Sequence, residues 1–221
     1  MTDPLINIRD VDFSYSPDRP VLCGCSFRLD PGQRIALTGA NGSGKTTLLH
    51  LIVGLVGPDA GSVEVFGKAR REEADFHEVR RRIGLLFQDS DDQLFCPTVA
   101  EDVAFGPLNL GLKREQVRQI VSQTLADLGL AGYENRITYQ LSSGEKRLVA
   151  LATVLAMQPE ILLLDEPTNS LDEQSAQRLL ETLDSLTQAM ILVSHDREFR
   201  EKLTDQVFLL NQGHLEEVAN H

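Results

Sequence analysis

RIALTGANGSGKTTLLHLIVGL, residues 34–55, reads as a short apolar strand, a glycine-rich turn and a helix in immediate succession. The turn, GANGSGKT at 39–46, matches the spacing G-x-x-x-x-G-K-[ST] in full. Gly39, Gly42 and Gly44 let the backbone fold tightly, so that several N–H groups point into one concavity. The N-terminus of the following helix adds positive potential at the same place. Such a cradle suits nucleotide phosphates: Lys45 would neutralise the β- and γ-phosphates, and Thr46 would offer oxygen to Mg²⁺, a hard cation that keeps several waters. The candidate phosphate-binding residues are Gly39, Ala40, Asn41, Gly42, Ser43, Gly44, Lys45, Thr46 and Thr47. A chance glycine turn explains neither the Lys-Thr pair nor the flanking strand and helix.

Outward from this stretch the same alternation recurs. IGLLFQ (83–88), ILLLDE (161–166) and MILVSH (190–195) are apolar runs read as buried strands, with a helix near 173–187 between the last two. Continuous apolar strands alternating with helices indicate a parallel sheet covered on both faces. Before it, LINIRDVDFSY (5–15) and VLCGCSFRL (21–29) read as a hairpin or two neighbouring strands, and SVEVFG (62–67) as a further strand. Residues 68–82 are mostly charged and read as surface, the run Arg80-Arg81-Arg82 included. From about 90 to 158 the pattern is helical, with capping boxes at Thr98/Glu101 and Ser142/Glu145. QVFLLNQGHLEEV (206–218) reads as a terminal hairpin turning at Asn211-Gln212-Gly213. The expectation is one α/β domain over 1–221 with a helical insertion.

The bulk numbers narrow the chemistry. A net charge of −12 repels nucleic-acid backbone and anionic lipid. The start MTDPLINIRD lacks a basic segment followed by an apolar one, so no signal peptide is expected. The longest apolar runs are too short to span a bilayer. Cys23, Cys25 and Cys96 are too sparse for a disulfide framework and argue for a reducing compartment. Cys23 and Cys25 read as two small buried residues of one strand face rather than a metal pair.

Each buried strand delivers a polar residue at its C-terminal end, where open α/β sheets bind ligands. Asp165 would hold Mg²⁺, mostly through water, and Glu166 would orient and polarise an attacking water. His195 would sense the γ-phosphate, and Gln88 would reach the Mg²⁺ or the water without adding charge.

LSSGEKRLVALA (141–152) then identifies a resemblance. The chain resembles ABC-type ATPases over essentially its whole length, with the motifs in the family's order. Tyr15 matches the aromatic that stacks on adenine, GANGSGKT the Walker A loop, Gln88 the Q-loop, and LSSGE the signature. ILLLDE matches Walker B with the catalytic Glu, SLD (Ser170, Leu171, Asp172) the D-loop, and His195 the switch His. The resemblance implies a mostly parallel P-loop core, an N-terminal antiparallel β subdomain and a helical insertion. It also implies Mg²⁺-dependent ATP hydrolysis by a dimer with an identical chain or close paralogue, in which Ser142, Ser143, Gly144 and Glu145 bind the ATP held by the partner. Ser143 departs from the family's usual Gly; its Cβ would crowd the phosphate, or strain the backbone at positive φ, and slow closure.

QDSDDQLFCPTVAEDVAFGPLNLGL (88–112) resembles the ATPases of energy-coupling-factor importers, those for cobalt and nickel above all. The resemblance implies a peripheral subunit on the cytoplasmic face of the cell membrane, working with a transmembrane coupling component and a substrate-binding membrane component. Leu94, Phe95 and Val99 would line an apolar groove for a coupling helix bearing arginines, ringed by Asp91, Asp92, Glu101 and Asp102. A capped helix with a solvated acidic face is the plainer reading of the same residues. Closure at His221 without the added C-terminal domain common in vitamin-type members favours the metal type. The alternatives are a vitamin-uptake ATPase, an exporter subunit and a soluble ABC ATPase. The last commonly has basic surfaces, coiled-coil insertions or two ATPase domains on one chain, which are not seen here.

Overall fold

Unbroken apolar runs can be satisfied only where both faces of a sheet are covered. In the computed structural model, which describes residues 3–218, Ile161–Asp165 and Ala189–Val193 are buried at every position. In chain order the strands are β1 (Ile6–Ser16), β2 (Arg19–Leu29), β3 (Arg34–Thr38), β4 (Ala60–Val65), β5 (Lys68–Ala69), β6 (Ile83–Leu86), β7 (Ile161–Asp165), β8 (Ala189–Val193), β9 (Gln206–Asn211) and β10 (His214–Val218). The helices are α1 (Lys45–Ile52), α2 (Glu73–Arg82), α3 (Val99–Asn109), α4 (Arg114–Asp127), α5 (Ser143–Leu155), α6 (Glu173–Asp184) and α7 (Arg197–Leu203).

The strands form two sheets. An antiparallel one has order β2-β1-β4-β5, and a second has order β10-β9-β3-β8-β7-β6. Within the second, β9, β3, β8, β7 and β6 run parallel, and β10 closes the edge antiparallel to β9. The parallel run brings the C-terminal ends of β3, β6, β7 and β8 to one edge, which positions the site. One apolar cluster lies between the two sheets around α1, and another joins the opposite face of the parallel sheet to α3, α4 and α5. Leu162, Leu164, Met190 and Leu192 share that second cluster with Val149 and Leu151 of α5, so the helical residues and the sheet have a common core.

Several boundaries differ from the sequence reading. The strand expected over 62–67 begins at Ala60 and stops at Val65, because Phe66 and Gly67 adopt positive φ (54° and 70°) to turn into β5. Residues 68–82 are not merely a charged surface. They form β5 and α2, whose Phe76 and Val79 are buried, and Arg70 is buried where it donates to the carbonyls of Val65 and Asp75. Charge is concentrated on the outer face of α2, and that masked its short apolar face. The terminal hairpin turns as expected, with Gln212 and Gly213 both at positive φ. Of the two strand cysteines, Cys25 is buried and Cys23 only half-buried, since Gly24 at φ 59° interrupts the alternation. His221 lies outside the described residues.

Candidate active site

The turn after β3 is built by glycine. Gly39, Gly42 and Gly44 hold φ of 144°, 77° and 108°, the region that favours a residue without Cβ, and Gly44 is the N-cap of α1. Lys45 folds over this loop, donating from Nζ to the carbonyls of Gly39 (2.9 Å) and Ala40 (3.0 Å). Thr46 Oγ1 donates to Asp165 Oδ2 at 2.5 Å, joining the first turn of α1 to the end of β7. A cavity of about 660 Å³ opens here, lined by Asn41, Gly42, Gly44, Lys45, Thr46, Thr47, Gln88, Asp165, Glu166 and His195, with Tyr15 at its mouth. The structure thus brings together residues from four strand ends and the glycine loop.

Tyr15 is 59% exposed, its ring set edge-on to Phe13 and its hydroxyl 3.1 Å from Thr47 Oγ1. That leaves a ring face open at the cavity mouth for a planar base. Glu166 is 8% exposed and sits at φ 49°, an unusual backbone for a non-glycine residue. Its Oε2 accepts the backbone N–H of His195 at 3.3 Å. Its Oε1 has no hydrogen bond, although His195 Nε2 is 3.4 Å away. Burial pushes the Glu166 carboxyl above the usual carboxylate range, opposed by the His195 N–H and charge. Burial likewise raises Asp165, against the lowering by Thr46 and Arg147.

Among the described residues, two buried side-chain polar atoms lack a hydrogen-bond partner, Glu166 Oε1 and Ser43 Oγ. One belongs to the glycine loop, the other borders it. Buried polar atoms are normally satisfied, so the orphaned Oε1 of Glu166, a residue of the cavity wall, fits a polar ligand there; Ser43 does not line the cavity. Thr46, Asp165 and Gln88 line the cavity, and each carries a side-chain oxygen, the donor type Mg²⁺ takes.

The signature segment sits elsewhere. Ser142 caps α5, its Oγ accepting the Glu145 N–H at 3.2 Å while Glu145 Oε2 accepts the Ser142 N–H at 2.8 Å. Ser142 and Ser143 are exposed, and none of Ser142, Ser143, Gly144 and Glu145 lines the glycine-loop cavity. Ser143 does not have positive φ, so the strain entertained for its backbone is absent. Glu145 also accepts from Tyr133 Oη (2.7 Å) and Arg136 (2.9 Å), so its carboxylate is committed within the chain. Gly144 faces the D-loop of its own chain: a Cβ there would stand 2.9 Å from the Ser170 carbonyl. Ser170 has φ 66°, Leu171 follows it, and Asp172 caps α6 through Ser175.

The acidic stretch after Gln88 differs from expectation in detail. A groove of about 330 Å³ exists, but its apolar wall is Leu55, Leu85, Phe87, Phe105 and Met157 together with Phe95. Val99 is fully buried and Leu94 packs into the core, so neither faces outward as expected. Asp102 touches the groove wall but is 2% exposed, spent on the N–H groups of Phe95 and Cys96 and on Thr138. Glu101 caps Thr98, and Asp91 pairs with Lys146 at 2.6 Å. Asp92 is exposed at the groove edge. Of these four acids only Asp102 turns inward, to meet the backbone N–H groups of the turn entering α3; Asp91, Asp92 and Glu101 stay exposed.

Asn169 in the cavity wall and Arg147 beneath it were missed by sequence reasoning. The only signal for Arg147 was its place in EKRLVALA, two residues after the signature.

Comparison with known proteins shows the family and the fold. A family model described as ABC transporter matches residues 22–169. A protein of Brucella suis biovar 1, named provisionally as an ABC transporter ATP-binding protein, is 53% identical over 212 residues, spanning 96% of this chain and 88% of its own length. An energy-coupling factor transporter ATP-binding protein, EcfA, of Methanothermobacter thermautotrophicus is 43% identical, spanning 96% of this chain and 69% of its own. Among solved structures, cbiO1 from Clostridium perfringens, part of the ABC transporter complex cbiONQ, superposes with a TM-score of 0.84 at 31% identity, covering 97% of this chain and 88% of that one.

Proposed function

The chain belongs to the ABC transporter ATP-binding family, as an ATP-hydrolysing subunit of the energy-coupling-factor type, and on that premise we propose that it powers a membrane importer for cobalt or nickel ions. The solute rests on the likeness of residues 88–112 to importer ATPases of that kind and on the structural neighbour from cbiONQ. The observation that carries the catalytic assignment is the orphaned, buried Oε1 of Glu166 beside the Thr46–Asp165 pair.

In this reading Tyr15 stacks on the adenine, and the glycine-loop N–H groups with Lys45 hold the phosphates. Thr46, Asp165 and Gln88 hold Mg²⁺, which when bound neutralises charge developing on the phosphate oxygens. Glu166 orients and polarises the water that attacks the γ-phosphorus. The bond to the bridging oxygen breaks, releasing ADP and inorganic phosphate. His195, 3.2 Å from Asn41 of the loop and 3.4 Å from Glu166, fixes the water's side of the site and contacts the γ-phosphate.

A second chain, identical or paralogous, supplies the rest. The exposed N-terminus of α5, with Ser142 and the N–H groups of Ser143 and Gly144, meets the partner's γ-phosphate. ATP binds the closed dimer better than the open one and so shifts the population toward closure. Closure moves a transmembrane component docked at the Phe95 groove, placing the subunit peripherally on the cytoplasmic face. Among the described residues no helix is long and apolar enough to cross a membrane.

The test is a pull-down of the tagged chain from detergent-solubilised native membranes, with partners identified by mass spectrometry and metal uptake assayed on the recovered complex. Recovery of multi-span membrane proteins and ATP-dependent cobalt or nickel uptake are expected. Recovery of soluble partners alone, beside an intact control transporter, would sink the importer reading.

A further inference from the structure

We propose that Arg147 is a positioning residue for hydrolysis, setting Glu166 and Gln88 relative to one another by gripping the backbone carbonyls of the two strand ends that carry them. The inference rests on the catalytic roles given above to Glu166 and Gln88.

Arg147 lies on α5 and is 3% exposed. Its guanidinium donates to five carbonyls and, among the described residues, to no side chain. Nη1 reaches Phe87 and, at 3.2 Å, Gln88. Nη2 reaches Asp165 and, at 2.6 Å, Glu166, and Nε reaches Pro167 at 3.4 Å. The five N–H bonds of an arginine fork are thus divided between the end of β6 and the end of β7.

A buried cation needs compensation, and among the described residues that of Arg147 comes from backbone carbonyls, with no carboxylate paired to it. Desolvation lowers its pKa to about 10, against the raising influence of Asp165, Glu166 and Asp89. Packing alone would be met by an apolar side chain of similar volume. What the arginine adds is geometry. The carbonyl it holds at Glu166 belongs to the residue at φ 49°, a conformation that persists only where surroundings over-determine it.

The loop after Gln88 has other tethers to α5. Lys146 pairs with Asp91 at 2.6 Å, and Gln93 donates to the Ala150 carbonyl and Thr153 Oγ1, both at 2.9 Å. These hold the loop on the helix without Arg147. Replacement by lysine keeps the charge, but its three donors radiate from one nitrogen and cannot span both strand ends.

The experiment compares wild type, Arg147→Lys, Glu166→Gln and the double variant of the full chain. It measures kcat, KM, fluorescent-ATP affinity and melting temperature. Arg147→Lys is expected to lower kcat about 10-fold or more while nucleotide affinity stays within about 2-fold. In the Glu166→Gln background the same change should cost little, because residues acting through one another are not additive. A folded Arg147→Lys with unchanged kcat overturns the proposal, as does a loss explained by weaker ATP binding or one that multiplies in the double variant. If Arg147→Lys does not fold, Arg147→Gln is measured in its place; failure of both to fold assigns Arg147 to structure alone and also overturns it. A wild type without ATPase activity, or a fully active Glu166→Gln, overturns the underlying catalytic reading instead.

Discussion

Glu166 Oε1 lies 3.4 Å from His195 Nε2 across the C-terminal ends of two adjacent buried strands. The same His195 nitrogen is 3.2 Å from Asn41 Oδ1, so a single imidazole bridges the carboxylate and the phosphate loop. The backbone N–H of His195 also binds the other oxygen of Glu166, which fixes the carboxylate without satisfying Oε1.

Glu166→Gln should therefore separate binding from chemistry. The amide keeps the shape but cannot polarise water as a carboxylate does, and kcat should fall by about 100-fold or more with ATP affinity retained. Replacing a buried, incompletely bonded carboxylate also removes a desolvation cost. The melting temperature at pH 7 should rise, by about 2–4 °C for each kcal/mol regained in a domain of this size. A variant both active and unshifted in melting would contradict the assignment.

Gly144→Ala tests the second phosphate site. The added Cβ would stand 2.9 Å from the Ser170 carbonyl and push the signature helix from the D-loop. ATP binding to the isolated chain should be unchanged, because Gly144 does not line the glycine-loop cavity. Turnover and ATP-dependent dimerisation, read by light scattering, should both drop about 10-fold. Unchanged dimerisation would show that this surface is not part of the closed site.

Glu145 gives a pH-dependent stability. The Ser142 N–H, then Tyr133, hold its carboxyl below the usual value of 4.5. A depressed carboxyl pKa stabilises the fold above the unfolded value, and that contribution is lost as pH falls through the folded value. Urea unfolding should show wild type more stable than Glu145→Ala at pH 7, with the charge-dependent part of the gap disappearing in acid below 4.5. A gap that stays constant across this range would mean the charge contributes nothing.

Phe95 and Asp102 should part company. Phe95 is 66% exposed and packs edge-on against Phe105, so Phe95→Ala should alter stability by no more than about 0.5 kcal/mol yet reduce co-purification with membrane partners. Asp102→Ala should instead cost about 3 kcal/mol in urea unfolding, since it orphans two backbone N–H groups and Thr138. Loss of co-purification in a fully stable Asp102→Ala would reverse this division.

Much of the architecture was legible because its physics is local. Periodicity located β3, β6, β7 and β8, and both expected capping boxes formed, at Thr98/Glu101 and Ser142/Glu145. Elements with weak apolar signal escaped: α2 hides two core residues among charges, and α7 is a seven-residue helix announced only by its cap, Asp196. The candidates that gather at the glycine-loop cavity have the same local signal, since Gln88, Asp165, Glu166 and His195 stand at strand ends and Lys45 and Thr46 follow the glycine turn; residues 142–145 and 170–172 lie elsewhere, at the entries to α5 and α6. The groove was not. Val99, Leu94 and Asp102 have the composition of a surface patch, and only packing turns them inward.

By itself the sequence determined which chemical groups are present and their order along the chain, because turn glycines, caps and strand runs are set by neighbours a few residues apart. The tertiary structure alone decided who meets whom. It set Thr46 against Asp165, His195 between Asn41 and Glu166, and Arg147 beneath two strand ends. Those meetings depend on the strand order β3-β8-β7-β6 and on close packing across separations of many residues, which no local pattern encodes.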